Sequence, residues 1–156
     1  MTPNGETDLE QRLGAWAKAS GSRLCVLFGS RAGGEAGSAG AGAEGASPSP
    51  LSDVDIAIQF PTFPSPERRL ELIGEAQDIC GAAIADVVFL HLRTDPVLRF
   101  EVFRSGVPVY EAEEGIFIDE KVRSLMLYED ALPFRRMLRE RLREDAKRQG
   151  KEPRVT

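Results

Sequence analysis

Apolar residues recur along this chain at two distinct periods. Leu9, Leu13, Trp16 and Ala17 fall at helical spacing within residues 7–19, which predicts an amphipathic helix with Trp16 as a core anchor. Three short apolar runs at about 23–28, 53–60 and 83–90 have the length of buried strands. Between the second and third, Pro64 and Pro66 introduce a helix near 66–80. Leu70, Ile73 and Ala76 are predicted to face inward there, Glu67, Arg68, Glu71 and Glu75 outward, and Gly81 to end the helix. Asp95-Pro96 caps another helix that runs to Ser105, with proline in its first turn. Gly106 ends it, and Val107 to Tyr110 form a last short strand. The pattern is helical again from Glu114 to about Lys147, with Pro133 as the point where it could break. Ile118, Val122, Leu125, Met126 and Leu132 mark one apolar stripe, continued by Phe134, Met137, Leu138 and Leu142. A small sheet cannot cover a helix of this length, so part of the stripe is predicted to overhang and to want a partner. The order of elements predicts an α/β (α+β) chain, a small sheet flanked by helices with a long C-terminal helical segment (114–148), and 156 residues suit one domain, 1–156.

Residues 33–50 break the pattern. They are Gly, Ala, Ser, Glu and Pro with no large apolar group, too little surface to offset the entropy of ordering them, and are predicted to be a mobile insertion or a lid. Deleting Gly34 to Gly45 is expected to change stability by about 1 kcal/mol or less, because loop-closure entropy grows only logarithmically with length. Chemical denaturation checks this; a cooperative loss of the fold would be the contrary result.

Composition narrows the class. With 42% hydrophobic and 29% charged residues the chain is of ordinary globular make-up. Its apolar runs are far shorter than a membrane span, and no secretory leader is evident, so a cytoplasmic location without membrane association is expected. The net charge of −5 conceals an asymmetry: residues 116–156 carry 11 Lys/Arg against 8 Asp/Glu, and residues 1–115 carry 9 against 17. An acidic body argues against stable nucleic-acid binding. Cys25 and Cys80 lie far apart among apolar neighbours and read as reduced core thiols. His91, the only histidine, rules out a multi-histidine metal site and is expected at the surface, at a strand end.

The candidate chemistry lies in the strands. Asp53 and Asp55 are two apart in an apolar run, so both carboxylates project from one face. Like charges that close raise each other's pKa unless a cation lies between them. Asp86 places a third acid in the next apolar run, where a buried carboxylate needs a metal or a partner such as Arg99. Oxygen donors of this kind suit Mg²⁺, which takes a few carboxylates, substrate phosphates and water. Upstream, the first strand ends at Gly29-Ser30-Arg31: a glycine for a sharp turn and close ligand approach, a hydroxyl, and a cation that could reach a phosphate. No lysine follows the glycines, which excludes the phosphate loop of the P-loop NTPases.

In this order, Gly29-Ser30, Asp53-Val54-Asp55 and Asp86, the motifs resemble those of the DNA polymerase β-type nucleotidyltransferase superfamily. With the short chain and the stretch Val97 to Glu111, they are similar to its minimal nucleotidyltransferase (MNT) branch, many of whose members are antitoxins encoded with a HEPN-domain RNase toxin. The resemblance covers roughly positions 10 to 145, and a longer segment, Arg31 to Ser52, separates its motifs than in the family pattern. It implies a polymerase β-like fold with a mixed sheet and transfer of AMP from ATP to a tyrosine hydroxyl of a cognate HEPN toxin. Asp53, Asp55 and Asp86 would be catalytic and hold two Mg²⁺ ions; Gly29, Ser30 and Arg31 would bind the nucleotide. The partner would be the toxin, in a hetero-oligomer or beside a homodimer, the role that of a type VII-like antitoxin. Adenylylation of a small molecule such as an antibiotic, and neutralisation by binding alone, are the alternatives. The first usually needs a further substrate domain, and the second gains nothing from three costly carboxylates.

Overall fold

The computed structural model describes residues 4–32 and 53–150; the low-complexity stretch 33–50 lies outside them. Helix α1 (Asn4–Ala19) is followed by strand β1 (Leu24–Phe28), a 3₁₀ turn (Gly29–Arg31), β2 (Val54–Gln59), α2 (Pro66–Cys80), β3 (Ala85–Phe89), α3 (Pro96–Ser105), β4 (Val107–Glu111) and α4 (Ile116–Gln149). The strands form one mixed sheet in the order β3-β2-β1-β4. β1 lies antiparallel to both β2 and β4, and β2 parallel to β3. No described helix is long and apolar enough to cross a membrane.

Each face of the sheet carries its own core. On one side Leu9, Leu13 and Ala17 of α1 and Ala76 of α2 pack on Cys25, Leu27, Val54, Ile56 and Ile58. On the other, Val102 and Phe103 of α3 and Ile116 and Phe117 of α4 pack on Leu24, Val26 and Ala57. Strand alternation explains the division, since residues two apart share a face. Gly14 lets α1 lie tight against β4, because a Cβ there would come within 2.6 Å of the Val109 carbonyl oxygen. Burial pushes the Cys25 thiol up to about 12, as suits an inert core thiol. Trp16 packs at the edge of the first core and donates its indole N–H to Glu75 at 2.8 Å.

The helix caps follow the sequence closely. The Ser65 hydroxyl accepts from the Arg68 amide at 3.2 Å, and Asp95 accepts from Val97 and Leu98 at 2.9 and 3.1 Å. Each cap precedes a proline at the first helical position, where the missing N–H is harmless. α4 lacks a cap of that kind; Glu111 accepts from the Phe117 amide instead, at 2.7 Å.

Three expectations are corrected. In α2, Leu72 and Ala76 are the buried residues, while Leu70 is 70% exposed; Leu70 and Ile73 border a groove with Val87 and Phe89 rather than filling the core. Helix α4 runs unbroken through Pro133; a proline on an exposed helix surface loses one backbone hydrogen bond without breaking the rod. Its buried face is Ile116, Phe117, Glu120 and Ser124, so Ile118, Val122, Leu125 and Met126 point to solvent on another side. Phe134, Leu138 and Leu142 lie about five turns beyond Ile116, Glu120 and Ser124 and continue the buried face, exposed, past the sheet. The apolar positions thus form two faces rather than one stripe: one exposed beside the domain, and one that continues the core-facing side where α4 overhangs, with Leu132 half-buried.

Candidate active site

β1 is a buried apolar strand that cannot continue, because Gly29 takes a φ of +75°. Such a value costs any other L-residue about 1–2 kcal/mol, and here it turns the chain into the 3₁₀ turn, closed by the Ala32 amide on the Gly29 carbonyl at 3.3 Å. Ser30 is exposed on this turn; the side chain of Arg31 lies outside the described residues.

β2 comes back alongside, with Phe28 facing Asp55 across the antiparallel pair. On the other side Asp55 is in register with Asp86 of the parallel strand β3. Neighbouring strands lie about 4.8 Å apart, so the two carboxylates leave the sheet side by side. Asp53 leads into β2 two residues earlier. All three therefore gather at one end of the sheet, on the face covered by α3 and α4. Gly29 backs directly onto them: a Cβ built there would overlap the Asp55 carboxylate oxygen and lie 3.3 Å from its Cβ.

Asp55 is half-buried and Asp53 and Asp86 are exposed. Burial first, then the charge of Asp86, then that of Asp53, holds the Asp55 carboxyl above its ordinary value. No ion pair involves any of the three among the described residues. The alternative of an Asp86–Arg99 pair fails: Arg99 is buried and bound to Glu120. Asp86 needs no such partner, because β3 is an edge strand and leaves it in water.

Uncompensated negative charge on oxygen donors alone fits a hard divalent cation. Among the described residues no group of three or more His, Cys, Asp or Glu side chains is placed to hold a metal ion by itself. An ion held here would need further ligands from water and substrate phosphates, which Mg²⁺ commonly takes. Cys25 in the core of β1 and His91 in the loop after β3 lie elsewhere and take no part.

The sequence matches the family model described as "Polymerase beta, Nucleotidyltransferase" over residues 17–115, a span from the end of α1 to the threshold of α4. The chain belongs to the polymerase β nucleotidyltransferase family. It is a nucleotidyltransferase by that membership, and both motif-bearing strands fall within the matched region. Among curated proteins none matches the sequence. Among solved structures, the fold is similar to a chain of the tri-AMPylated Shewanella oneidensis HEPN toxin in complex with MNT antitoxin. The TM-score is 0.66 at 16% identity, covering 88% of this chain and 98% of that one. A toxin–antitoxin structure with AMP-PNP gives 0.66 at 18%, covering 85% and 97%, and an MntA-HepT toxin–antitoxin structure 0.64 at 17%, covering 86% and 96%. At such identities the likeness establishes the polymerase β-like fold, long C-terminal helix included.

For this nucleotidyltransferase, Gly29→Ala tests the contact between turn and carboxylate. The variant is expected to lose about 1–2 kcal/mol of stability from the strained φ, seen as a lower denaturation midpoint. It should lose proportionately more nucleotide affinity, measured by calorimetry with Mg·ATP, because the added methyl displaces Asp55.

The sequence did not disclose a cluster of charges under α4. Glu120 is buried and accepts from Arg99, with Arg23 at 3.4 Å and Arg123 at 3.5 Å. The signal was present in Arg99, a guanidinium inside the apolar stretch Val97 to Phe103, but its partner lies 21 residues away on another helix.

Proposed function

We propose that this nucleotidyltransferase moves AMP from ATP to a tyrosine hydroxyl of a HEPN-domain RNase, silencing it as an antitoxin. The observation that carries the reading is the Gly29 turn pressed against Asp55, with Asp86 in register beside it and no cation among the described residues to balance them. A phosphate chain lying on the turn would bring its α-phosphorus to the carboxylates. The partner is supported by solved structures of the same fold in which an MNT antitoxin accompanies an AMPylated HEPN toxin, and by one with AMP-PNP.

In this reading Gly29 and Ser30 seat the β- and γ-phosphates through backbone N–H groups and the hydroxyl, with Arg31 assisting. Asp53, Asp55 and Asp86 would hold Mg²⁺, which supplies charge neutralisation at the phosphates when bound. Asp86, exposed on the edge strand β3, helps take the proton from the acceptor hydroxyl. The hydroxyl oxygen forms a bond to the α-phosphorus, the bond from that phosphorus to the bridging oxygen breaks, and pyrophosphate leaves with the electron pair. In-line positioning and charge stabilisation supply most of the rate.

Co-expression with a HEPN protein tests this. The partner's intact mass should rise by whole AMP units, on a tyrosine by peptide mapping, and Asp86→Ala should abolish the rise while the complex still assembles. Neutralisation that survives unchanged in the triple Asp53→Ala, Asp55→Ala, Asp86→Ala variant would instead establish binding-only inhibition.

The exposed apolar overhang of α4, around Phe134 to Leu142, is the docking face in this account. Aromatic, Met and Arg side chains are favoured as interface anchors, and Phe134 and Met137 stand exposed beside Arg135 and Arg136. Phe134→Glu with Leu138→Glu is expected to weaken association with the partner at least about tenfold while Mg·ATP affinity stays unchanged. Light scattering and calorimetry read the two quantities separately; intact association would show that the partner sits elsewhere.

A further inference from the structure

A second cavity lies at the opposite end of the sheet from the carboxylates. Its volume is about 440 Å³, and Arg23, Gln59, Phe60, Phe63, His91 and Arg123 are among its walls. From Asp55 to Gln59 the strand advances four residues, about 13 Å at the usual rise, so this cavity is separate from the site described above. It is of the size that takes a small molecule.

Three features of its wall point to one kind of ligand. The first is charge. Buried Glu120 is the only carboxylate paired with Arg23, Arg99 and Arg123 among the described residues. One negative charge faces three guanidiniums. Arg99 takes the buried contact, while Arg23 and Arg123 hold Glu120 only at 3.4 and 3.5 Å, with side chains 40% and 58% exposed. Both border the cavity with N–H groups to spare, and guanidiniums are the natural partners of phosphate oxygens. The second is an aromatic wall. The Phe63 ring is 41% exposed, held edge-on by His91 at 4.7 Å and covered by Arg69 at 5.0 Å. A ring fixed in this way, with a face still accessible, can stack a flat ligand. The third is an orphan: the side-chain oxygen of Gln59 is buried without a hydrogen-bond partner, and such groups are costly unless something occupies them.

We infer that this cavity binds a small phosphorylated ring compound of mononucleotide size. Its phosphate lies between Arg23 and Arg123, its ring lies on Phe63, and a hydroxyl or amino donor satisfies Gln59. An anion without a ring leaves Phe63 and Gln59 unused, and a neutral aromatic leaves the spare N–H groups of Arg23 and Arg123 unused. The assignment is independent of the carboxylate site and of the acceptor proposed for it.

The chain has a single histidine, so the imidazole resonances of His91 report on this cavity alone. AMP is titrated into the full chain with chelator present, which removes divalent cations from the carboxylate end, and the His91 signals are followed by NMR. They are expected to shift and saturate. Arg123→Ala, on an exposed part of α4, should weaken AMP binding about tenfold or more, the usual effect of losing one charge-assisted hydrogen bond. Phe63→Ala should weaken AMP while leaving inorganic phosphate unaffected, and Asp55→Asn should leave AMP binding unchanged. His91 signals that do not move with AMP, or a shift undiminished in Arg123→Ala, would overturn the inference. A shift abolished by Asp55→Asn would overturn it by placing AMP at the other site. Equal affinity for inorganic phosphate and AMP would overturn the assignment to a ring-bearing ligand.

Discussion

Asp55→Asn is expected to lower AMP transfer by at least about a hundredfold, the scale seen when one preorganised electrostatic group is removed from a transition state. The same variant should melt higher than the wild type at neutral pH in the absence of metal. The Asp55 carboxyl is held above its ordinary value by burial, by Asp86 and by Asp53. An acid whose folded pKa is raised binds its proton more tightly in the folded chain than in the unfolded one. Its contribution to stability is therefore complete below the unfolded pKa and is lost as pH rises through the folded pKa. Asparagine carries no charge to repel, so the advantage of the variant should be present at neutral pH, shrink as pH falls through the raised folded pKa, and be gone below about 4, the ordinary aspartate value. Thermal melts across that range, with chelator present, read it directly. Lower activity together with higher stability is the signature of a group retained for chemistry; a variant that melts lower at neutral pH would make Asp55 a structural residue.

Glu120→Ala is expected to have the largest effect on stability. The side chains of Glu120 and Arg99 are both 2% exposed, and removing one member of a buried pair costs about 3–5 kcal/mol because the other charge is stranded. The cost is aggravated here, since Arg23 and Arg123 lose the same partner. Arg99 also donates to the His91 carbonyl at 3.3 Å, so the cluster ties α3 and α4 to the end of β3. Replacing both partners by apolar residues, Arg99→Met with Glu120→Leu, should recover much of the loss, as apolar substitutes of similar volume often do. Chemical denaturation of the wild type, the single and the double variant measures this. A single variant within about 1 kcal/mol of the wild type, the range of exposed pairs, would contradict the burial argument.

What was legible in the sequence was local. Asp95-Pro96 specifies a helix start through a capping oxygen and a fixed φ, Pro66 another through its fixed φ, and both helices begin there. Gly29 ends β1 because the chain must turn with a positive φ at that point. Asp55 projects from one face of β2 by strand alternation, and Asp53, just before the strand, lies close enough for its charge to act on Asp55. The nucleotidyltransferase family could be read from the order of these motifs alone.

What was not legible depended on the rest of the molecule. Asp86 lies in an apolar run that looks buried, and only the strand order shows that β3 is an edge. In α2, apolar residues occupy more than one side, so periodicity pointed to Leu70 and Ile73 beside Ala76, where packing selects Leu72 with Ala76. α4 is the clearest case. Its most apolar stripe faces water while a glutamate and a serine lie against the core. Glu120 is acceptable there only because Arg99 meets it from α3, a pairing that no local pattern announces.

The central claim, that the strand acids serve nucleotidyl rather than phosphoryl transfer, is tested most directly by following the two ends of ATP separately. The chain, Mg²⁺ and a HEPN acceptor are incubated with ATP labelled at either the α- or the γ-phosphate, and label is counted on the acceptor. The account predicts α-label on the acceptor, γ-label released as pyrophosphate, and neither result with Asp53→Asn, Asp55→Asn. Transfer of the γ-label to the acceptor, or α-label transfer that survives loss of both aspartates, would contradict it.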